Sequence, residues 1–154
     1  MWEDPAAVLG SFSARVMRLK RRGDVAGLVD ALRDRRPRVR RAAANALVLR
    51  SDIRAVDPLI ASLRDPDPIV RKNAAIALGE LEADAAVEPL VGALEDDDPA
   101  VRAMAASALG RSKDPRAVDP LVALLADPDP TVAGTARSVL AGIDDPRAAD
   151  ALRR

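Results

Sequence analysis

Leucine recurs every 31 residues along this chain, at Leu28, Leu59, Leu90, Leu121 and Leu152, and other apolar columns keep the same register. Leu32, Leu63, Leu94 and Leu125 form one, Val39, Val70, Val101 and Val132 a second, and Leu47, Leu78, Leu109 and Leu140 a third. Within one period, Val25, Leu28, Val29 and Leu32 share one face of a helix, as do Val39, Ala43, Ala46 and Leu47. Each period therefore predicts a pair of amphipathic helices. Four copies without an insertion predict equivalent units, each covering the apolar face of the next.

Polar residues punctuate the same period. The turn inside each pair reads Arg36-Pro37, Asp67-Pro68, Asp98-Pro99 and Asp129-Pro130. An Asp at the N-cap accepts a backbone N–H that the first helical turn leaves unpaired, and the following Pro lacks an N–H that would be unpaired anyway. Three of the four second helices thus begin with a cap contributing about 1 kcal/mol. Asp114-Pro115 and Asp145-Pro146 open first helices in the same way. Pro58, Pro89 and Pro120 fall about a turn into the first helix, where the loss of one backbone hydrogen bond predicts a bend.

The string Asp-Pro-Arg-Ala-Val-Asp-Pro-Leu-Val at 114–122, followed by Asp-Pro-Asp-Pro-x-Val at 127–132, resembles the HEAT-like repeat of the phycobilin-lyase type. The resemblance runs over roughly residues 23–154. It implies an all-α fold, a right-handed α-solenoid of about four 31-residue helical hairpins with half-repeat caps at the ends. It also implies a ladder between neighbours, built from an Asp in the inter-helix turn and an Arg six residues later. The matching pairs are Asp34/Arg40, Asp65/Arg71 and Asp96/Arg102, while Asp127 is followed by Ala133, as expected where a ladder ends.

The expected organisation is one continuous domain: a capping helix at 1–22, repeats at 23–51, 52–82, 83–113 and 114–143, and a partial repeat at 144–154. In the cap, Val8, Phe12, Val16 and Leu19 make one stripe, with Val8 31 residues before Val39. That register, with Glu3 and Asp4 ahead of it, favours a cap over a basic membrane-surface or targeting helix, despite Arg15, Arg18, Lys20, Arg21 and Arg22. Arg137 stands where Ala44, Ala75 and Ala106 keep the helix flank small. It is expected to face water, because no further second helix follows.

Composition narrows the chemistry. The apolar residues are mostly Ala, Leu and Val, with one Trp, one Phe and no Tyr, so the core has to form by close approach of small side chains. The chain has no Cys and no His, which removes disulfides, thiolate or imidazole metal sites and the commonest proton-transfer groups. No Ser or Thr sits in a known nucleophile motif. Among enzymes that resemble this fold, deoxyhypusine hydroxylases bind iron through His-Glu motifs, and alkylpurine DNA glycosylases surround the base with aromatics. Here His is lacking, and Trp2 and Phe12 lie only in the cap. The run Glu95-Asp96-Asp97-Asp98 lacks the spaced oxygens and Gly of a calcium loop and reads as a solvated turn. We therefore expect no catalytic residue, no cofactor and no metal. The order of charged and apolar residues at the N-terminus is the reverse of a secretory signal, and no stretch matches a membrane span, so a cytoplasmic protein with no membrane partner is expected.

Charge is balanced in total, 24 Lys and Arg against 24 Asp and Glu, but not along the chain. Residues 15–54 hold 13 cations and 4 anions, a net of +9, while residues 55–154 hold 11 and 18, a net of −7. The molecule is expected to be a dipole along its length, open to head-to-tail self-association.

In this repeat family the second helices line the concave face. The wheel then turns outward Arg38, Arg41, Asn45 and Val48, and next Ile69, Lys72, Ile76 and Gly79. Ala100, Ala103, Ser107 and Gly110 follow, then Thr131, Gly134, Ser138 and Ala141. Arg38, Arg41, Asn45, Ile69, Lys72 and Ile76 are the candidate partner-binding residues. The expected function is a non-enzymatic protein-interaction scaffold whose partner, an acidic protein, lies on the concave face. The alternatives are a lyase-like or chaperone-like subunit for a chromophore or cofactor protein, and a nucleic-acid-binding protein. Clustered arginines favour the last, and the near absence of aromatics to stack on bases opposes it.

Overall fold

A computed structural model describes residues 5–154, with side chains from residue 14 onward. Ten α-helices and no strand occur among the described residues: α1 (Pro5–Arg22), α2 (Val25–Ala31), α3 (Pro37–Val48), α4 (Val56–Ser62), α5 (Pro68–Leu81), α6 (Val87–Ala93), α7 (Pro99–Ser112), α8 (Val118–Ala123), α9 (Pro130–Ala141) and α10 (Pro146–Arg153). The fold is the expected all-α solenoid. Helices α2/α3, α4/α5, α6/α7 and α8/α9 form the four hairpins, and α1 and α10 lie at the two ends.

The periodic columns are the core. Leu28, Leu59, Leu90 and Leu121 are fully or almost fully buried, as are Leu47, Leu78, Leu109 and Leu140 from the second helices. Val16 of α1 is buried and Leu19 packs against the same cluster. Val8 and Phe12 of the expected stripe lie outside the described side chains, and Trp2, Glu3 and Asp4 outside the described residues. Ala44, Ala75 and Ala106 are completely buried, whereas Arg137 in the same column is exposed.

The caps form as the sequence predicts. The carboxylate of Asp67 accepts from the Ile69 amide at 2.9 Å, that of Asp98 from Ala100 at 2.8 Å, and that of Asp129 from Thr131 at 2.8 Å. Arg36 holds the matching position of α3, and no side chain caps that helix. The prolines of the first helices are placed differently from the expectation. A 3-10 turn, Ile53–Ala55, Asp84–Ala86 or Pro115–Ala117, leads directly into α4, α6 or α8. Pro58, Pro89 and Pro120 are then the third residue of their α-helix, among positions whose N–H has no intrahelical acceptor. No internal hydrogen bond is lost, and the irregularity precedes the proline.

The two rows of helices pack unequally. Successive second helices touch along their lengths, while first helices meet mainly through the 3-10 turn of the next repeat. Grooves separate the first helices, one of about 480 Å³ between α4 and α6 lined by Ile60, Leu63, Pro89 and Gly92. The longer second helices thus form the more continuous of the two rows.

Candidate functional site

The inter-helix turns are fixed by a ladder of arginines. Arg40 donates Nε and Nη2 to the Asp65 carboxylate of the next repeat at 2.7 and 2.9 Å, and Nη1 to the Asp34 carbonyl of its own turn at 3.0 Å. Arg71 repeats this with Asp96 and the Asp65 carbonyl, and Arg102 with Asp127 and the Asp96 carbonyl. The expected pairing is corrected in direction: each Arg holds its own turn through a carbonyl and the following turn through a carboxylate. Asp127 is therefore the last rung, and the ladder ends in the fourth repeat as expected. At the other end, the Asp34 carboxylate is held by Arg36.

Electrostatics follow the geometry. The side-chain hydrogen bonds from Arg36 draw the Asp34 carboxyl down to about 2, against the opposing effect of burial. Burial pushes Asp96 up, but hydrogen bonds from Arg71 and the Asp98 amide outweigh it and leave the carboxyl below its usual value. Hydrogen bonding from Arg102 lowers Asp127. The ladder arginines are raised by their carboxylate partners.

Against this frame, the six candidate residues divide. Arg38 is exposed and Asn45 is exposed, both on α3, and Arg38 makes no ion pair among the described residues. Arg41 is half-exposed and bound to Asp67 of the next repeat, Nη2 to Oδ2 at 2.6 Å. Burial raises the Asp67 carboxyl, and the Arg41 hydrogen bond with the Ile69 and Val70 amides brings it below normal. On α5, Ile69 is exposed at 39%, while Lys72 and Ile76 are half-buried and Lys72 has no ion-pair partner among the described residues. Helices α3 and α5 pack side by side, which brings all six onto neighbouring helices.

Two positions expected on the open face are covered. Gly79 is buried, and a Cβ there would lie 2.9 Å from both Cα and Cβ of Ala108 on α7. Ala103 is 3% exposed. At Gly79 the missing side chain lets α5 and α7 approach one another. The acidic run also has internal duties: Asp96 is a ladder rung and Asp98 the cap of α7. Among the described residues no group of three or more Asp or Glu is placed to hold a metal ion, and no helix is long and apolar enough to cross a membrane.

Sequence reasoning missed Asp67 as the partner of Arg41. The signal was present, since Asp67 is a cap in the repeat that follows, but the pair is separated by 26 residues.

Comparison with known proteins agrees with this architecture. No curated protein matches the chain in sequence. Among solved structures, an engineered protein is 27% identical with a TM-score of 0.67, the likeness covering 84% of this chain and 67% of that one. The complex of CpcE and CpcF of phycocyanin lyase from Nostoc gives 24% identity and a TM-score of 0.74, over 97% of this chain and 64% of its own. A designed armadillo repeat protein in complex with the peptide (KR)4 gives 22% and 0.71, over 96% and 80%. The sequence profile of HEAT repeats matches residues 25–99 and 87–154. Repeat register, stacked hairpins and profile coincide over most of the length, and the chain belongs to the HEAT-repeat family.

Proposed function

We propose that the chain is a non-enzymatic protein-interaction module that holds a segment of a partner protein across the exposed faces of α3 and α5, with acidic side chains meeting Arg38 and Lys72. The observation behind this is the surface left once the repeat has used its own charges. Arg36, Arg40, Arg41, Arg54, Arg71 and Arg102 are all held by carboxylates. Arg38 and Lys72 are not, and they share two adjacent helices with exposed Ile69. None of the outward positions of the second helices is acidic. A basic peptide of the (KR)4 kind finds no complement there, and an acidic one does.

Fluorescence anisotropy with two labelled octapeptides, one alternating Glu and Asp and one (KR)4, tests this. The acidic peptide binds, more weakly as salt rises, and Arg38→Glu with Lys72→Glu abolishes the signal. Arg41→Ala combined with Asp67→Asn, which removes an already neutral pair, changes affinity by no more than about twofold. Preference for (KR)4, or acidic-peptide binding indifferent to the double reversal, refutes the proposal. The nucleic-acid alternative has less support, because Arg36, Arg40 and Arg41 of the arginine cluster are committed to carboxylates and aromatics to stack on bases are nearly absent. The lyase-like alternative rests on likeness of fold alone.

A further inference from the structure

We propose that two copies of this chain associate side by side, through the edge that carries the connections between repeats, about a two-fold axis beside Leu49 and Ile53. These are the two most exposed large apolar side chains among the described residues, at 70% and 80%. Their loop is firmly held. The Arg50 amide donates to the Leu47 carbonyl at 2.9 Å and the Asp52 amide to the Arg50 carbonyl at 2.8 Å. The Arg50 guanidinium reaches back to the Lys20 carbonyl of α1 at 2.6 Å, and the Asp52 carboxylate accepts from the Arg54 amide at 3.0 Å. The loop satisfies these polar groups internally and holds its two aliphatic side chains outward.

The same columns are charged in the units on either side. One period before Leu49 stands Arg18, and one period after it Glu80. For Ile53 the neighbours are Arg22 and Asp84, and between these columns Ser51 lies between Lys20 and Glu82. All three columns read cation, uncharged, anion, in the same order along the stack. Residues of one column are neighbours in space, as the Glu80–Arg111 ion pair at 2.9 Å shows one unit further on. Arg18, Arg22, Glu82 and Asp84 make no ion pair among the described residues, whereas Glu80 is shared with Arg111.

A pattern of this kind complements its own reverse. A two-fold axis through the middle unit, where Asp52 and Arg54 neutralise each other and Arg50 is bound to the Lys20 carbonyl, perpendicular to the stack, brings each cation of the three columns opposite an anion of the second copy and sets Leu49 and Ile53 against their own images, an isologous contact. An anionic lipid surface or an acidic peptide suits Arg18 and Arg22 but meets Glu82 and Asp84 on the same edge. A second copy satisfies both halves. The contact spans about three units of one edge, so the dimer is weak and salt-sensitive.

Sedimentation equilibrium of the full chain at about 10 to 500 µM tests the assignment. In low salt a monomer–dimer equilibrium is expected, shifting to monomer as salt rises. Leu49→Ser with Ile53→Ser weakens it at least about tenfold. Arg18→Glu with Arg22→Glu is monomeric, and so is Glu82→Lys with Asp84→Lys. Lys suits the left-handed backbone of Glu82, since Lys113 has φ 52° in the same column. An equimolar mixture of the two charge-reversed proteins forms a heterodimer, because each now carries what the other lacks. All these positions are exposed, and circular dichroism melts matching the parent protein confirm that the variants fold. A parent protein that stays monomeric in low salt overturns the proposal. A dimer that survives all the variants runs through another surface, such as the ends of the stack, and overturns it too. So does a mixture that gives no heterodimer.

Discussion

Replacing the central ladder arginine, Arg71→Ala, is expected to destabilise the fold by about 3 kcal/mol. Its side chain is 16% exposed and its partner Asp96 10%. It donates to both Asp96 oxygens at 2.7 and 2.9 Å and to the carbonyl of Asp65 at 2.8 Å. Alanine removes all of these and leaves a largely enclosed carboxylate without its cation. For a fully buried pair the loss is about 3 to 5 kcal/mol. Partial access to water and the surviving bond from the Asp98 amide at 2.9 Å place this one at the lower end. Denaturant unfolding followed by circular dichroism reads it directly, and melting falls by about 6 to 12 °C. The control is Arg54→Ala, whose 69%-exposed side chain also pairs with a carboxylate, Asp52 at 2.7 Å. An exposed pair contributes well under about 1 kcal/mol. A second signature is pH. With Arg71 present, Asp96 titrates below its usual value and stabilises the fold above about pH 4. Without it, burial raises that carboxyl, so the cost of the substitution is largest near neutrality and shrinks as Asp96 becomes protonated. A loss for Arg71→Ala no greater than for Arg54→Ala, or one independent of pH, refutes the reasoning.

The remaining expectations concern backbone and acid stability. Gly79→Ala costs about 1 to 3 kcal/mol in denaturant unfolding, because the new Cβ meets the backbone of Ala108 at 2.9 Å and neither helix can yield locally. Gly92→Ala, in α6 with nothing within 4 Å of the added atom, stabilises by about 0.5 to 1 kcal/mol. Glu82→Gly and Lys113→Gly relieve left-handed backbone at φ 47° and 52° and each raises the melting temperature. Asp34 and Asp52 are both drawn down to about 2, each chiefly by its Arg two residues on. A depressed carboxyl stabilises the fold above its unfolded value and loses that effect as pH falls through its folded one. Acid titration by circular dichroism should thus show stability declining between about pH 4 and pH 2.

The regular part of the fold was legible because every repeat restates it. Leucine columns, Asp-Pro turns and the buried alanine flank each appear three or four times, and the structure places them as expected. What escaped the sequence has a common physical origin in the same regularity. When Asp and Arg both recur every 31 residues, Arg40 can be assigned to Asp34 or to Asp65 with equal consistency, and only coordinates show the carboxylate bond running to the next repeat. A helical wheel places Gly79 and Ala103 on the open face because it describes one helix alone. In a stack, a second helix has neighbours on both flanks, and Gly79 lies on the flank toward the next repeat, against Ala108 of α7. The left-handed ends at Glu82 and Lys113 carry no glycine to announce them.

Periodicity also separates what the stack needs from what it does not. A residue required for stacking recurs in its column, so a large or charged side chain standing alone in a column is not explained by the fold. Ile69 shares its column with Arg38, Ala100 and Thr131, and Leu49 shares its own with Glu80, Arg111 and Gly142. Both are aliphatic, both are exposed, and both lie in the first two repeats, beside the unpaired cations of α1 and α3. In the third and fourth repeats the outward positions of the second helices shrink to Ala, Ser, Thr and Gly, which offer little side chain for a selective contact. Those repeats still bury their leucine columns and complete the ladder through Asp127. The proposed contact residues therefore fall in the first two repeats, while the ladder and the buried leucine columns run through all four.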